Sequence, residues 1–414
     1  MSKQNIEESV ESRVCFEQLE DWVREKVQGW VQELLEEEVT ELLGRSKSER
    51  RRTVDTPSGY RNGYGKPRHL TMSSGTIQVR RPRVRDLEER FESRVLPLFA
   101  KRTRQVRELI PELYLHGLAL GDFDLALRGI LGEKAPLSAS TVARLKEKWQ
   151  AEWEVWQSRP LDDLEVVYLW VDGVYVKAGL EKEKAVLLVV LAALSDGSKS
   201  VVSVTSGYRE STQSWSEVLR DLKHRGMGCP RLVIGDGHLG IWGALRNVYP
   251  QAEEQRCWNH RIVNLLAKLP KRVHKPALLI LRQIPYAETR EEAQRLKKVF
   301  QHWCRQRGLS LAAELIEQDW DRMVTFYNYP KKQWQHLRTT NPVESPFAGL
   351  RLRTDAAKRF KKVENAQAVI WKMLLVAEKR FRRLKAPELM KDVYQGANYV
   401  NGVPVNQVPE EKAA

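Results

Sequence analysis

The apolar residues of this chain change their period several times along its length, and each change marks an element. From Phe16 to Leu43, the residues Leu19, Trp22, Val23, Val27, Trp30, Val31, Leu34, Leu35, Leu42 and Leu43 recur at helical spacing, which predicts one long amphipathic helix for packing or dimerisation. A basic, turn-rich stretch follows, "RSKSERRRTVDTPSGYRNGYGKPRHL". In the next segment, "TIQVRRPRVRD", Ile77, Val79 and Val84 alternate with basic residues as in a short strand. Such runs can track a phosphate backbone, and solvated charge explains them equally well. Between Arg104 and Trp149 short helical patterns break at Gly117 to Asp122 and at Gly129 to Pro136. The last of them, "LSASTVARLKEKW", offers Ser138 or Ser140 as a cap followed by Arg144, Lys146 and Lys148, and resembles the second helix of a helix-turn-helix.

After "SRPLDD" the period shortens to that of strands. "LEVVYLWVDGVYVKA", "KAVLLVVLAAL" and "KSVVSVTSG" read as three strands, the last two joined by an Asp196-Gly197 turn. A helix over "TQSWSEVLRDLKHRG", a strand over "PRLVIGDG", a helix over "HLGIWGALRNVYP" and a short strand over "AEEQRCW" come next. That order is the order of a ribonuclease H-like α/β core, a mixed sheet flanked by helices, although other α/β folds share parts of it. Residues 262–335 read as a helical insertion without strands. Beyond "NPVE" one more amphipathic basic helix carries Ala366, Ile370, Met373, Ala377, Phe381 and Leu384 on a single face, and the tail after Lys385 is expected to fray. The expected organisation is therefore a mostly helical N-terminal DNA-binding or dimerisation region over 1–100, a helix-turn-helix-like region over 101–160, a catalytic domain over 161–385 and a tail over 386–414.

Composition narrows the partners. The 414 residues contain 69 Lys plus Arg against 54 Asp plus Glu, a formal net charge of +15, and a basic balance of that size points to a polyanion such as nucleic acid. The longest apolar run, Ala185 to Leu194, is about half of the roughly 20 residues that a membrane-spanning helix needs. The segment "MSKQNIEESVESR" lacks the plan of a secretory signal, and four cysteines make no disulfide framework. These features predict a cytoplasmic protein with no membrane association.

Three carboxylates stand out. Asp172 interrupts an apolar strand in "WVDGVYV", where a buried charge needs a partner or a metal. Asp236 lies at a strand end between Gly235 and Gly237, where sites gather in open α/β sheets. Either could instead start a turn or cap a helix. Glu344 has a structural competitor: in "NPVE", Asn341 can be the N-cap, Pro342 the first helical residue and Glu344 the third, a capping box. Taken together, three carboxylates can hold two divalent ions, Mg²⁺ in the first place and Mn²⁺ as an alternative, for in-line phosphoryl transfer. Arg338, Arg351, Arg353, Lys358 and Arg359 would then hold phosphates beside them. In "CWNH", Cys257 and His260 have the gap of a zinc half-site without an evident second pair, so His260 can also contact phosphate or position a water, or the two can simply pack and cap.

At these residues the chain resembles the bacterial insertion-sequence transposases related to the eukaryotic Mutator elements. The likeness runs from about "GYRNGYG" to "FRRL" and is carried by "VDGVYVK", "SGYRESTQSWSEVLRDLKHRG", "VIGDGHLGIWGAL", "YPQAEEQRCWNH" and "TTNPVE" in that order. The resemblance implies an Asp-Asp-Glu triad on Asp172, Asp236 and Glu344, the Cys-x-x-His motif on Cys257 and His260, and a Mg²⁺-dependent DNA transposase. Such an enzyme would bind its element's terminal inverted repeats, cleave, and join 3′-hydroxyls to target DNA. Ser345-Pro346 directly after the glutamate departs from the family pattern. Holding two DNA ends calls for at least a homodimer on DNA. A ribonuclease H-like nuclease or resolvase would use the same carboxylates, and a DNA-binding regulator would use none of them.

Overall fold

The structure is a computed structural model that describes residues 15–50, 59–119, 122–132, 135, 139–179, 184–207, 209–237 and 239–405. The chain divides into two compact units, Met1–Leu145 and Lys146–Ala414. The division falls at neither of the boundaries expected near 100 and 160.

In the first unit the predicted long helix is present as α1 (Leu19–Leu43), preceded by a short 3-10 turn and ended by Gly44 at φ +60°. It buries Leu35, Val39 and Leu43, and Leu35 joins a small core with Leu70, Ile77, Val79 and Leu96. The basic segment contains more regular structure than its composition announces: β1 (Tyr60–Tyr64) pairs with β4 (Pro82–Arg85), and β2 (Arg68–Met72) pairs with β3 (Gly75–Val79), both antiparallel. Two glutamines of α1 satisfy the backbone of this β region. The Gln28 side chain accepts from the Gln78 N–H, and the Gln32 amide both accepts from and donates to the Arg80 backbone at 2.9–3.0 Å. Then come α2 (Arg104–Leu115) and α3 (Asp122–Leu131), and the division between the units falls within α4 (Ala139–Gln157). Of the two caps expected, Ser138 lies outside the described residues, and Ser140 falls within α4 and not before it.

The second unit is built on a five-stranded sheet in the order β7-β6-β5-β8-β9. Its strands are β5 (Val166–Val176), β6 (Ala185–Leu194), β7 (Lys199–Gly207), β8 (Leu232–Gly235) and β9 (Glu253–Arg256). The first three are antiparallel, whereas β8 and β9 run parallel to β5. β6 is buried at eight consecutive positions because both faces of the sheet are covered, which is why its sequence shows no alternation. Over one face, α5 (Thr212–His224) and α6 (Leu239–Val248) bury Trp215, Leu219, Ile241 and Trp242 against Leu169, Val171, Leu188 and Val233. On the other face the Tyr168 hydroxyl donates to the Gln333 side chain at 2.6 Å and the Trp170 indole donates to the His336 carbonyl at 2.9 Å.

Those partners belong to the helical insertion: α7 (Trp258–Ala267), α8 (His274–Leu281), α9 (Arg290–Arg305), α10 (Ser310–Glu317), α11 (Trp320–Met323) and α12 (Trp334–Leu337). The single helix expected after Thr340 is three pieces, α13 (Asn341–Glu344), α14 (Phe347–Ala357) and α15 (Val363–Glu378). The first break coincides with Ser345-Pro346: Ser345 keeps helical angles, φ −52° and ψ −47°, but Pro346 has no N–H with which to continue the helical hydrogen bonds. The second contains Lys358 at φ +55°. Phe381 and Leu384 consequently lie beyond α15 and not on its face. The tail does not fray up to residue 405: α16 (Met390–Gln395) fully buries Met390, and β10 (Tyr399–Val400) pairs with β11 (Val403–Pro404). Among the described residues no helix is long and apolar enough to cross a membrane, and the four cysteines are free.

α6 approaches the start of α5 at Gly240, where a Cβ would stand 2.6 Å from the Ser211 carbonyl carbon and 2.7 Å from the Thr212 nitrogen. Backbone cannot yield as a side chain can, so Gly240→Ala should cost roughly 1–3 kcal/mol. Thermal unfolding should fall by about 2–4 °C per kcal/mol for a unit of this size. Gly349, in exposed α14 with nothing within 4 Å, is the control: Gly349→Ala should leave the midpoint unchanged or raise it.

Candidate active site

The two aspartates meet because of strand register. Along the parallel β5–β8 pair, Tyr168 stands opposite Leu232, Leu169 opposite Val233 and Trp170 opposite Ile234. Continuing that register by two residues brings Asp172, still in β5, next to Asp236, the first residue past β8, on strands whose spacing is about 4.8 Å. Asp236 leaves β8 into Gly237, which adopts φ +93° and where a Cβ would collide with the Arg256 guanidinium. That tight turn is the physical reason for a glycine after the aspartate. Arg256 donates to the Asp236 carbonyl at 3.1 Å and pairs with Asp319 at 2.6 Å, so the turn is tied to the insertion.

Glu344 reaches the same place from α13, which packs against β5 and β6. His260, on the first turn of α7, has Nδ1 3.5 Å from Asp236 Oδ1 and 3.9 Å from Glu344 Oε1. The carboxylate of Glu344 also accepts from the Thr340 hydroxyl. This replaces the capping box expected for "NPVE". The N-cap residue is Thr340, no side chain caps the helix, and Asn341 instead accepts from the Asn259 amide at 3.0 Å. Thr340, not Asn341, is the residue from which the chain enters the helix, which makes Glu344 the fourth helical residue and not the third.

Thr340 is the junction that the sequence did not flag. It is fully buried, its N–H and hydroxyl lie 3.3 and 3.2 Å from Cys257 Sγ, and its hydroxyl is 3.4 Å from His260 Nδ1. Cys257 in turn continues the strand pairing, its N–H donating to the Gly235 carbonyl at 2.8 Å, and the Trp258 N–H donates to the Arg338 carbonyl at 2.9 Å. Cys257, His260 and Glu344 place one donor atom each within 4.8 Å of one another. Among the described residues that group has three donors, one fewer than a structural zinc site takes.

The electrostatics are those of a crowded, partly desolvated acidic cluster. Burial pushes the Asp172 carboxyl up to about 7, with Glu344 and Glu210 adding to the rise and the Gly173 N–H and His260 opposing it. His260 is raised to about 9, first by its hydrogen bond with Cys257, against the effect of burial, and further by Cys257 charge, Asp236 and Glu344. Glu210 is a further acid without a sequence signal. It accepts from the Tyr175 hydroxyl at 2.7 Å over Gly173, on the sheet face opposite to the Asp172 side chain. An oxygen-rich cluster whose main cationic neighbour is a histidine has the donor chemistry of a hard divalent ion, and Asp172, Asp236 and Glu344 are the residues that could hold one.

The basic residues expected beside Glu344 separate. Arg351, Lys358 and Arg359 are exposed, Arg359 donating to the Gly179 carbonyl at 3.0 Å. Arg353 is only 2% exposed, so it is not a surface phosphate ligand: the i, i+3 spacing from Leu350 turns it inward with the apolar side of α14. Arg338 points into an aromatic cluster, its guanidinium 4.8 Å from the Tyr286 ring, 5.2 Å from Phe326 and 5.6 Å from Trp334.

Comparison with known proteins agrees with this arrangement of motifs. Residues 1–383 match the family model described as transposase, Mutator family. The transposase for insertion sequence element IS6120 of Mycolicibacterium smegmatis is 45% identical over 295 residues, 71% of this chain and 91% of the relative. The transposase for element IST2 of Acidithiobacillus ferrooxidans is 36% identical over 283 residues, 68% of this chain and 95% of the relative. The transposase for element ISRM5 of Rhizobium meliloti is 28% identical over 359 residues, 84% of this chain and 86% of the relative.

The raised Asp172 carboxyl has a consequence for stability in EDTA. Its folded pKa of about 7 exceeds the ordinary value of 3.8, so the native state binds the extra proton between those limits. Native stability is therefore lost as pH rises from about 4 through about 7. Asp172→Asn keeps the neutral form at every pH. At pH 8 it should unfold later than the wild type, by on the order of 1–3 kcal/mol, and the difference should close near pH 4. Equal midpoints of the two proteins at pH 8 in calorimetry would show that the carboxylate is not desolvated.

Proposed function

The chain belongs to the Mutator family of transposases, and from that premise we propose that it moves an insertion sequence by cutting at the element's terminal inverted repeats and joining the 3′-hydroxyl ends to target DNA. Asp172, Asp236 and Glu344 carry the chemistry on a ribonuclease H-like core, a reading supported by the mixed sheet and its strand order. The observation that carries the proposal is the convergence of three carboxylates from β5, β8 and α13 around His260. DNA is the partner. Two copies of the chain, one for each element end, form the active assembly.

Bound divalent ions, Mg²⁺ or Mn²⁺, would supply activation of the attacking hydroxyl and stabilisation of the leaving oxygen. The chain's own residues prepare the place. Asp172 and Asp236 present oxygens from neighbouring strand ends that cannot move apart without breaking the β5–β8 ladder. Glu344 approaches from the other side on a short helix, and the Thr340 hydroxyl bond fixes the direction of its carboxylate. His260 stays cationic near neutral pH, so it offsets part of the acidic charge and can donate to a phosphate oxygen entering the site. Partial burial of Asp172 lowers the dielectric around its carboxylate, which strengthens the charge interactions there.

Strand transfer by purified protein on labelled DNA carrying the element's end, with a target plasmid and Mg²⁺, tests this directly. Wild type should join ends. Asp172→Ala, Asp236→Ala and Glu344→Ala should each bind DNA with unchanged affinity and lose joining by at least about 10³-fold, the scale of removing a group that acts only in the transition state. Cleavage without joining would assign a nuclease, and a Glu344→Ala protein that joins normally would remove Glu344 from the triad.

A further inference from the structure

The end of the sheet opposite to the carboxylates carries a cationic surface, and the geometry points to a second DNA-backbone contact there, formed by Lys379, Arg380 and Arg382 together with Lys332 and Lys385. The inference rests on DNA being the partner, and it adds a surface that the carboxylate site does not include. Register fixes the separation. On β5 Asp172 stands opposite Val189, whereas Val166 stands opposite Leu194, next to the β6–β7 turn. Six residues of strand at about 3.3 Å each put that turn about 20 Å from Asp172, which is roughly six base pairs of duplex at 3.4 Å per base pair.

The segment "KRFRRLK", Lys379 to Lys385, is fastened to this turn. The Leu384 N–H donates to the Gly197 carbonyl at 2.9 Å, Leu384 is 2% exposed, and the Lys199 ammonium donates to the Arg382 carbonyl at 2.7 Å. The five cations of the segment are exposed, yet their backbone is held at two points outside any helix. A solvated charge run needs no such anchoring. Ordering a flexible basic tail on DNA costs conformational entropy, whereas a pinned one has already lost it.

Lys385 also lines a cavity of about 430 Å³ with Lys331, Lys332, Trp334 and Arg338. Arg338 rests on its aromatic rings with its Nε lacking a hydrogen-bond partner. Two acids of this neighbourhood are engaged by the sheet: Glu165 accepts from the Ser195 hydroxyl and Glu378 from the Val201 N–H at 2.9 Å. Asp196 pairs with Arg383 at 3.4 Å and Glu288 with Lys331, which leaves Lys332, Lys379, Arg380, Arg382 and Lys385 without a carboxylate partner among the described residues. His336 is lowered to about 4 by burial first, with the charges of Lys199 and Lys385 adding to the shift. Unpaired cations spread over an extended segment and a neighbouring wall suit a chain of phosphates better than one compact anion.

Full-length protein in EDTA, titrated into a labelled duplex of about 30 base pairs between roughly 50 and 200 mM salt, tests the surface. Replacing Lys379, Arg380 and Arg382 by Gln should lower the slope of log affinity against log salt by about 2.7, three contacts at 0.9 each. Over that fourfold salt range the wild type should therefore lose about 40-fold more affinity than the triple variant. A second variant, Lys332→Gln with Lys385→Gln, should act in the same direction. The control that replaces Arg272, Lys275 and Lys298 in the insertion removes the same charge elsewhere and should leave the slope within about one contact of wild type. Mn²⁺ binding by all variants should be unchanged, since none touches the carboxylates. A wild-type slope in both patch variants, or an equal loss in the control, would overturn the proposal. Loss of binding to a poly-glutamate peptide with DNA binding intact would overturn it in favour of an acidic protein partner. A wild type that binds no duplex at all would instead bring down the DNA reading on which the proposal rests.

Discussion

The parallel pairing of β5 with β8 is the constraint on which the rest of the second unit depends. It sets Asp172 and Asp236 level, and it also decides which face of the sheet each side chain occupies. A slip of one residue would turn Asp172 into the core under α5 and α6 and bring Val171 out to the site. The long antiparallel pairing of β5 with β6, from Val166 to Val176, is what makes such a slip improbable, because it would displace the partners of a whole buried strand at once. Parallel strands also need a crossover, and the chain uses it well: β7 leads into α5, whose start is held by Ser211 accepting from the Ser214 N–H at 3.1 Å, and α6 packs back across that start at Gly240.

The third carboxylate depends on a different set of bonds. The insertion between β9 and α13 is fixed to the sheet by several large side chains whose polar tips find partners in the interior. Trp170 donates to the His336 carbonyl, Trp258 donates to the Met323 carbonyl at 2.8 Å, and Gln255 both donates to Met323 and accepts from the Phe326 N–H at 2.8 Å. Each such bond is modest in net stability, but a buried indole or amide left unpaired costs more than the bond contributes, so the set enforces one docking position for the insertion. Through Trp258 to Arg338 and Cys257 to Thr340, that position is passed on to Glu344. The carboxylates of the two strands and of the distant helix are thus joined by a path of buried hydrogen bonds.

Charge is distributed along the sheet, not only across the surface. Towards the C-terminal end of β5 lies the desolvated Asp172, with Asp236 just past β8, and at the β6–β7 turn lie the lysines and arginines of the pinned segment. The formal charge of +15 therefore understates both the acidity of one end and the basicity of the other. A polyanion crossing this unit would meet attraction at the basic end and repulsion at the acidic end unless divalent cations neutralise it, which couples the two ends through the same ligand.

Much of this was legible beforehand because strands with an apolar period declare themselves. Val166–Val176, Ala185–Leu194 and Lys199–Gly207 were readable from β-branched runs and an Asp-Gly turn, and Asp172, Asp236, Cys257 and His260 stood out as polar residues at breaks in those runs. Tyr60–Tyr64 and Arg68–Met72 were not, since glycine, arginine and tyrosine carry no alternation and pair only because a neighbouring strand offers hydrogen bonds. The inward turn of Arg353, the aromatic seat of Arg338 and the packing of Met390 were likewise invisible, because a side chain's surroundings come from residues far away in the chain. What the amino-acid order determined by itself was the succession of elements and the residue types available for chemistry, both of which follow from local periodicity. Only the tertiary structure decided that Thr340, the residue from which the helix of Glu344 starts, is seated against Cys257 and His260, and that Lys379 to Lys385 is pinned beside a distant turn. Those outcomes depend on hydrogen bonds between segments some 80 to 190 residues apart, and no local pattern encodes such a distance.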